Sequence, residues 1–137
     1  MTTRPPGGTP PPTEAILVGG SGPIDLVELA RAICNRYRGE FPDEQGRYGD
    51  AGMAWCVHDN QHIVNWAVLH TREFVVLDEQ VAWLAKVLEA REFPLDRLAR
   101  NLDIGAQVVA ERVAGADEVA AALGGAAAMV RSRPTFL

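Results

Sequence analysis

Side chains able to do chemistry concentrate in one stretch of this chain. Between Arg47 and Trp66 stand Trp55, Cys56, His58, Asp59, His62 and Trp66. At about 100° per residue on a helix, Ala54, His58, Gln61 and Asn65 fall on one side, the expected solvent face. Met53, Cys56, Val57, Ile63, Val64 and Ala67 fall opposite, the expected core face. Trp55, Asp59, His62 and Trp66 form a stripe along the boundary, each within reach of the next at a spacing of three or four residues. Asp59 and Asn60 intrude on apolar territory. A buried carboxylate must find a hydrogen-bonded or charged partner, or else take up a proton.

Two readings of the stripe follow. In one it walls a pocket, with Asp59 and His62 as a proton-transfer pair and the indoles sandwiching a flat ligand. In the other Asp59 is an internal anchor, accepting from Arg47, a Trp indole or a helix N-terminus, and the tryptophans are packing residues with one polar handle. Metal binding has partial support. His58 and His62, four apart, project the same way, as paired helical ligands do. Their third ligand would have to be Asp59, or His70 two turns away. With no Cys-x-x-Cys and no His-Glu-x-x-His, no metal or cofactor is expected; haem or another tetrapyrrole held by one of these histidines is the alternative. Nucleophilic use of Cys56 would need an adjacent base. His62 is six residues away and His58 faces elsewhere, so Cys56 reads as a small buried apolar group.

The elements that would position these groups are helical. Residues 1–23 are dominated by Pro, Gly, Thr and Ser and read as a disordered tail. Its apolar island, Ile16 to Val18, is either docked on the body or a partner motif. From Ile24, Leu26, Leu29, Ala30, Ile33 and Tyr37 recur at helical spacing, with Asp25 and Glu28 placed for capping. Gly39 and Pro42 end that helix, and Asp43 to Gly49 reads as a loop. A second helix runs from Asp50 to His70. A third starts at Asp78 and buries Val81, Leu84, Ala85 and Leu88. After Pro94, Leu95 to Val113 keeps helical period, with Gly105 as a candidate break. An alanine-rich helix covers Ala116 to Val130, and residues 131–137 are expected to fray. Strict strand alternation is absent. The expectation is one all-α domain over residues 24–130, a five- to six-helix bundle or globin-like packing.

Composition narrows the function. The formal net charge is −5, which lacks the electrostatic footprint of a nucleic-acid binder. Leu95 to Val113 has the outline of a helix-turn-helix, but Asp103 stands at the turn and only Gln107 and Arg112 are available to read bases. Arg97 and Arg100 read as a solvated face, and Arg36 with Arg38 as a small anion site or a dipole-favoured helix end. No apolar run is long enough to span a membrane. Cys34 and Cys56 are expected as reduced thiols in a cytoplasm, although spacing leaves a disulfide open. Lys86 is the only lysine beside twelve arginines, a bias typical of high-GC bacterial genomes.

Arg47-Tyr48-Gly49, Gly52, Cys56 and Asp59, followed by Ala82 to Leu88, Phe93-Pro94, Leu98 and Asn101-Leu102, carry a resemblance. Over Arg36 to Val113 the chain resembles small all-helical sensory or accessory domains of bacterial regulators, of the kind found beside cobalamin-binding modules. The resemblance implies a sensory or interaction role and brings no catalytic residue with it. The expected function is therefore a non-enzymatic regulatory or accessory domain that binds a protein partner or a small ligand. Its surface would carry Trp55, Asp59, His62 and Trp66, with Trp83 added from the third helix. Self-association through the alanine-rich last helix is a further expectation. The alternative is a small helical enzyme or tetrapyrrole-binding protein using Asp59 and His62.

Overall fold

A computed structural model describes residues 6–20 and 22–137. Five helices carry the fold: α1 (Leu26–Glu40), α2 (Glu44–Thr71), α3 (Leu77–Ala90), α4 (Leu95–Arg112) and α5 (Asp117–Ser132). A minor antiparallel hairpin, β1 (Glu14–Ile16) with β2 (Pro23–Asp25), pairs Ala15 with Ile24 ahead of α1. The expected all-α domain is thus observed, with this hairpin added. Strands of three residues are too short for an alternating pattern to announce them.

Local chemistry accounts for the helix boundaries. The Asp25 carboxylate accepts from the backbone N–H groups of Val27 and Glu28, both at 3.0 Å, so the anticipated cap forms. The apolar stripe of α1 is buried in full: Leu26, Leu29, Ala30, Ile33 and Tyr37. The second helix begins earlier than expected. Residues 44–48 make a helical turn, and Gly49, at φ 64° and ψ −160°, kinks it before the long run resumes. Only glycine adopts that conformation without strain, and the Arg38 guanidinium holds its carbonyl at 3.1 Å. α3 starts at Leu77, and Asp78 sits in its first turn where its charge suits the helix dipole. His70 Nδ1 accepts the Leu77 N–H at 3.1 Å, so this histidine caps α3 and is no third metal ligand.

α4 runs unbroken from Leu95 to Arg112, which removes the helix-turn-helix outline. Gly105 lies buried within it, against Leu123 and Ile33. The apolar face of α5, with Val119, Leu123, Ala126, Ala127 and Val130 buried, packs chiefly on α4. The apolar stripe of the alanine-rich helix is therefore turned inward, whereas Ala121, Gly125 and Ala128 face outward.

Both ends depart from expectation. Glu14–Ile16 and Pro23–Asp25, the first of them and part of the second assigned to a disordered tail, pair as the hairpin, with Ala15, Leu17 and Ile24 buried. The apolar island is docked through Leu17, whereas Ile16 and Val18 stay exposed. The Gln61 side-chain amide donates to the Pro12 carbonyl at 3.1 Å, tying this segment to α2. Residues 1–5 of the expected tail lie outside the described residues. At the C-terminus, expected to fray, the Glu89 carboxylate accepts from the Phe136 N–H and the Thr135 hydroxyl, each at 2.7 Å. Phe136 is buried under the Arg133 guanidinium.

Candidate functional site

The central stretch of α2 meets neighbours on most of its circumference. α1 and α5 cover one side, α3 a second, and the N-terminal segment a third. The side given to water by helical projection is consequently not free. Gln61 is buried and bonded to Pro12, and His58 lies half-buried beside Asp59. Projection assigns a face to each residue, but the face that meets water depends on which segments pack there.

Along the boundary the rings form a continuous ladder. Trp55 and His58 centroids are 5.1 Å apart, His58 and His62 5.0 Å, and His62 and Trp66 5.7 Å. The first two contacts are edge-to-face and the last is stacked, arrangements that aromatic quadrupoles favour. Opposite stands α3, one turn after another contributing Gln80, Trp83, Leu84 and Val87, with Arg91 just past its end. Together they enclose a groove of about 710 Å³, within the range of about 300–1,000 Å³ common for ligand sites. Trp55, Asp59, His62, Trp66 and Trp83, all anticipated as one surface, line it. So does His58, which projection had turned outward.

Asp59 finds its partner next door. His58 Nδ1 lies 3.1 Å from its Oδ1, whereas Arg47, the candidate cation, pairs with Asp43 at 2.8 Å. This hydrogen bond goes to His58, not to His62, so the proton-transfer pair drawn from spacing is not the pair observed. Burial, reinforced by the neighbouring His58, holds the His62 pKa below its ordinary value; Asp59 opposes the shift. His62 is therefore a neutral ring at neutral pH.

Behind the groove lies a smaller cavity of about 50 Å³. Asp59, Leu84 and Leu88 line both spaces and form the partition between them. Asn60 and Asn101, both lining it, pair directly, the Asn60 amide donating at 3.1 Å and the Asn101 amide returning at 2.9 Å. This settles why Asn60 sits on an apolar face: it bolts α2 to α4. Its amide also donates to the Cys56 carbonyl at 2.9 Å and lies 3.5 Å from both cysteine sulfurs. Those sulfurs form a disulfide, Cys34–Cys56, with Cα atoms 6.1 Å apart. Reduced thiols were the expectation, and α1 against α2 brings the two together instead. At the far side the Tyr37 hydroxyl donates to buried Glu44, which Arg97 neutralises at 3.3 Å. Burial above all, then that carboxylate, pushes the Tyr37 hydroxyl far up from its ordinary range. Tyr48, Gly52, Cys56, Asp59, Phe93 and Asn101, positions that carried the family resemblance, all line this cavity.

Other candidates resolve into structural pairs. Arg36 binds Glu111 through two bonds, at 2.8 and 3.2 Å, and Arg38 serves Gln45 and Gly49, so they form no anion site. Arg97 and Arg100, read as a solvated face, clamp Asp43, Glu44 and Glu40. Among the described residues no group of three or more His, Cys, Asp or Glu side chains is placed to hold a metal ion. The paired histidines therefore lack the ligand set of a bare-ion site. No helix is long and apolar enough to cross a membrane among the described residues.

The residues missed by sequence reading are Gln80 and Val87 of α3 and Arg91 just past its end, together with the Tyr37–Glu44 and Asn60–Asn101 pairs. Asn60 alone carried a signal, as a polar side chain on an apolar face.

Fold and site define a five-helix domain with a ligand-sized aromatic groove between its second and third helices. Comparison with protein-family models, with curated proteins and with solved structures gives no match to this chain.

Proposed function

We propose that this chain is a non-enzymatic regulatory or accessory domain whose α2/α3 groove binds a flat small ligand. One observation carries the reading: all three tryptophans of the chain line a single concavity, joined along α2 by two histidine rings. Eleven residues of helix separate Trp55 from Trp66, so the ladder is roughly 16 Å long. That length suits a ligand with several fused rings. The volume of the groove, in the range of ligand sites, favours a small ligand over a protein face, because interfaces between proteins are larger. An acid–base pair of Asp59 with His62 draws less support, since the carboxylate is hydrogen-bonded to His58 instead. A cytoplasmic location, argued above from reduced thiols, loses that argument to the cystine, because cytosolic reductants keep thiols reduced.

The arrangement supplies its own assay. Every tryptophan reports on the groove, so intrinsic emission follows its occupancy. Titration with planar chromophores of either charge (1-anilinonaphthalene-8-sulfonate, ethidium and flavin mononucleotide) should quench that emission saturably. Trp83→Ala, at an exposed position, should leave the fold intact and weaken binding at least tenfold. No saturable quenching up to about 1 mM, an affinity of about 4 kcal/mol, would remove the groove from consideration as a small-ligand site.

A further inference from the structure

Resting on that reading, the hydrogen bond between His58 and Asp59 specifies the ligand further. A carboxylate at Nδ1 selects the tautomer protonated there and leaves the Nε2 lone pair as the ring's acceptor. Histidines that bind metals carry this same support on the second nitrogen, which fixes the ring and raises its basicity. His62, one turn on, has no such carboxylate bond among the contacts described for it. A bare ion would need more donors than are gathered here. A metal that brings its own equatorial ligands in a planar macrocycle needs only an axial one.

The remaining walls fit such a macrocycle. Three indoles and the aliphatic side chains of Leu84, Val87 and Leu88 give it an apolar slot. A porphyrin has the matching shape, a flat apolar ring body. We propose that the groove binds an iron porphyrin, with His58 Nε2 as the axial ligand and Asp59 as its positioning residue.

Paired titrations of the full chain with haemin and with metal-free protoporphyrin IX separate the metal bond from the flat slot. Both should quench tryptophan emission at a 1:1 ratio, and haemin alone should show the shifted Soret band of an imidazole-ligated iron. His58→Ala should weaken haemin binding at least tenfold and abolish the shift, while protoporphyrin binding changes less than twofold, which also shows the variant folded. Asp59→Asn should weaken haemin binding selectively, and His62→Ala should keep the Soret shift. Equal haemin spectra in the wild type and His58→Ala overturn the axial assignment, as does loss of the shift in His62→Ala instead. Failure of both porphyrins while the planar chromophores still bind overturns the porphyrin and leaves the groove as a site for other flat ligands. Failure of porphyrins and chromophores together overturns both.

Discussion

Replacing Asn60 with leucine should destabilise the domain by about 3 kcal/mol, and replacing Asn101 as well should restore most of the loss. Asn60 is 2% exposed and Asn101 7%. In Asn60→Leu the Asn101 amide loses its donor and its acceptor partner together. Each buried polar group left unpaired costs about 1–3 kcal/mol; water entering the adjoining cavity keeps both near the lower end, and lost bonding to the Cys56 carbonyl adds the remainder. Asn101→Leu strands less, because the Asn60 amide keeps its bond to that carbonyl, so about 2 kcal/mol is expected. The double variant has no stranded amide, and the 50 Å³ cavity accommodates the added methyl groups. Its cost should be no more than about 1 kcal/mol, giving a coupling of about 4 kcal/mol between the two positions. Urea unfolding of the four proteins, with a shared m-value, measures the cycle. Additive losses, or an Asn60→Leu cost below about 1 kcal/mol, would refute the idea that these buried amides satisfy one another.

Further expectations rest on the same interior. The disulfide closes a separation of 22 residues; in the chain-entropy relation its reduction costs about 3.4 kcal/mol at 25 °C, and denaturant midpoints with and without reductant should show that loss, a change under about 1 kcal/mol speaking against it. His62 should titrate below about 6.5 by NMR. Since its folded pKa is the lower one, the unfolded chain takes the proton first, and its contribution to stability falls as pH drops from about 6.5 through the folded pKa. His62→Gln should flatten that slope, and a titration at or above the ordinary value would contradict the burial argument. Gly52→Ala would drive a methyl into the Tyr48 side chain and to 2.8 Å from the Arg38 guanidinium, so a loss of about 1–3 kcal/mol is expected in thermal or urea unfolding, and a neutral effect would show that the α1–α2 contact gives way freely.

Much of the fold was legible because helical periodicity is a local property. The stripes of α1 and α3 could be read residue by residue, since a helix with one buried face must repeat its apolar residues every three or four positions. The Asp25 cap was legible for the same reason, as donor and acceptor lie within three residues. The gathering of Trp55, Asp59, His62 and Trp66 on one side of α2 also followed from spacing alone. α3 then supplied Trp83 opposite them, as expected.

What only tertiary structure decided concerns partners distant in sequence. Whether His58 met water depended on where α3 and the N-terminal segment settled, and neither is encoded in the period of α2. Asn60 found Asn101 across 41 positions and Cys34 found Cys56 across 22, contacts set by helix packing rather than by any local pattern. The composition of residues 1–23 is poor in apolar groups, yet Ala15 and Leu17, with Ile24 beside them, suffice once a preformed surface receives them. The sequence by itself determined a helical domain and lined up the rings along α2. Packing of α3 against that line made the stripe a groove, because concavity exists only between elements.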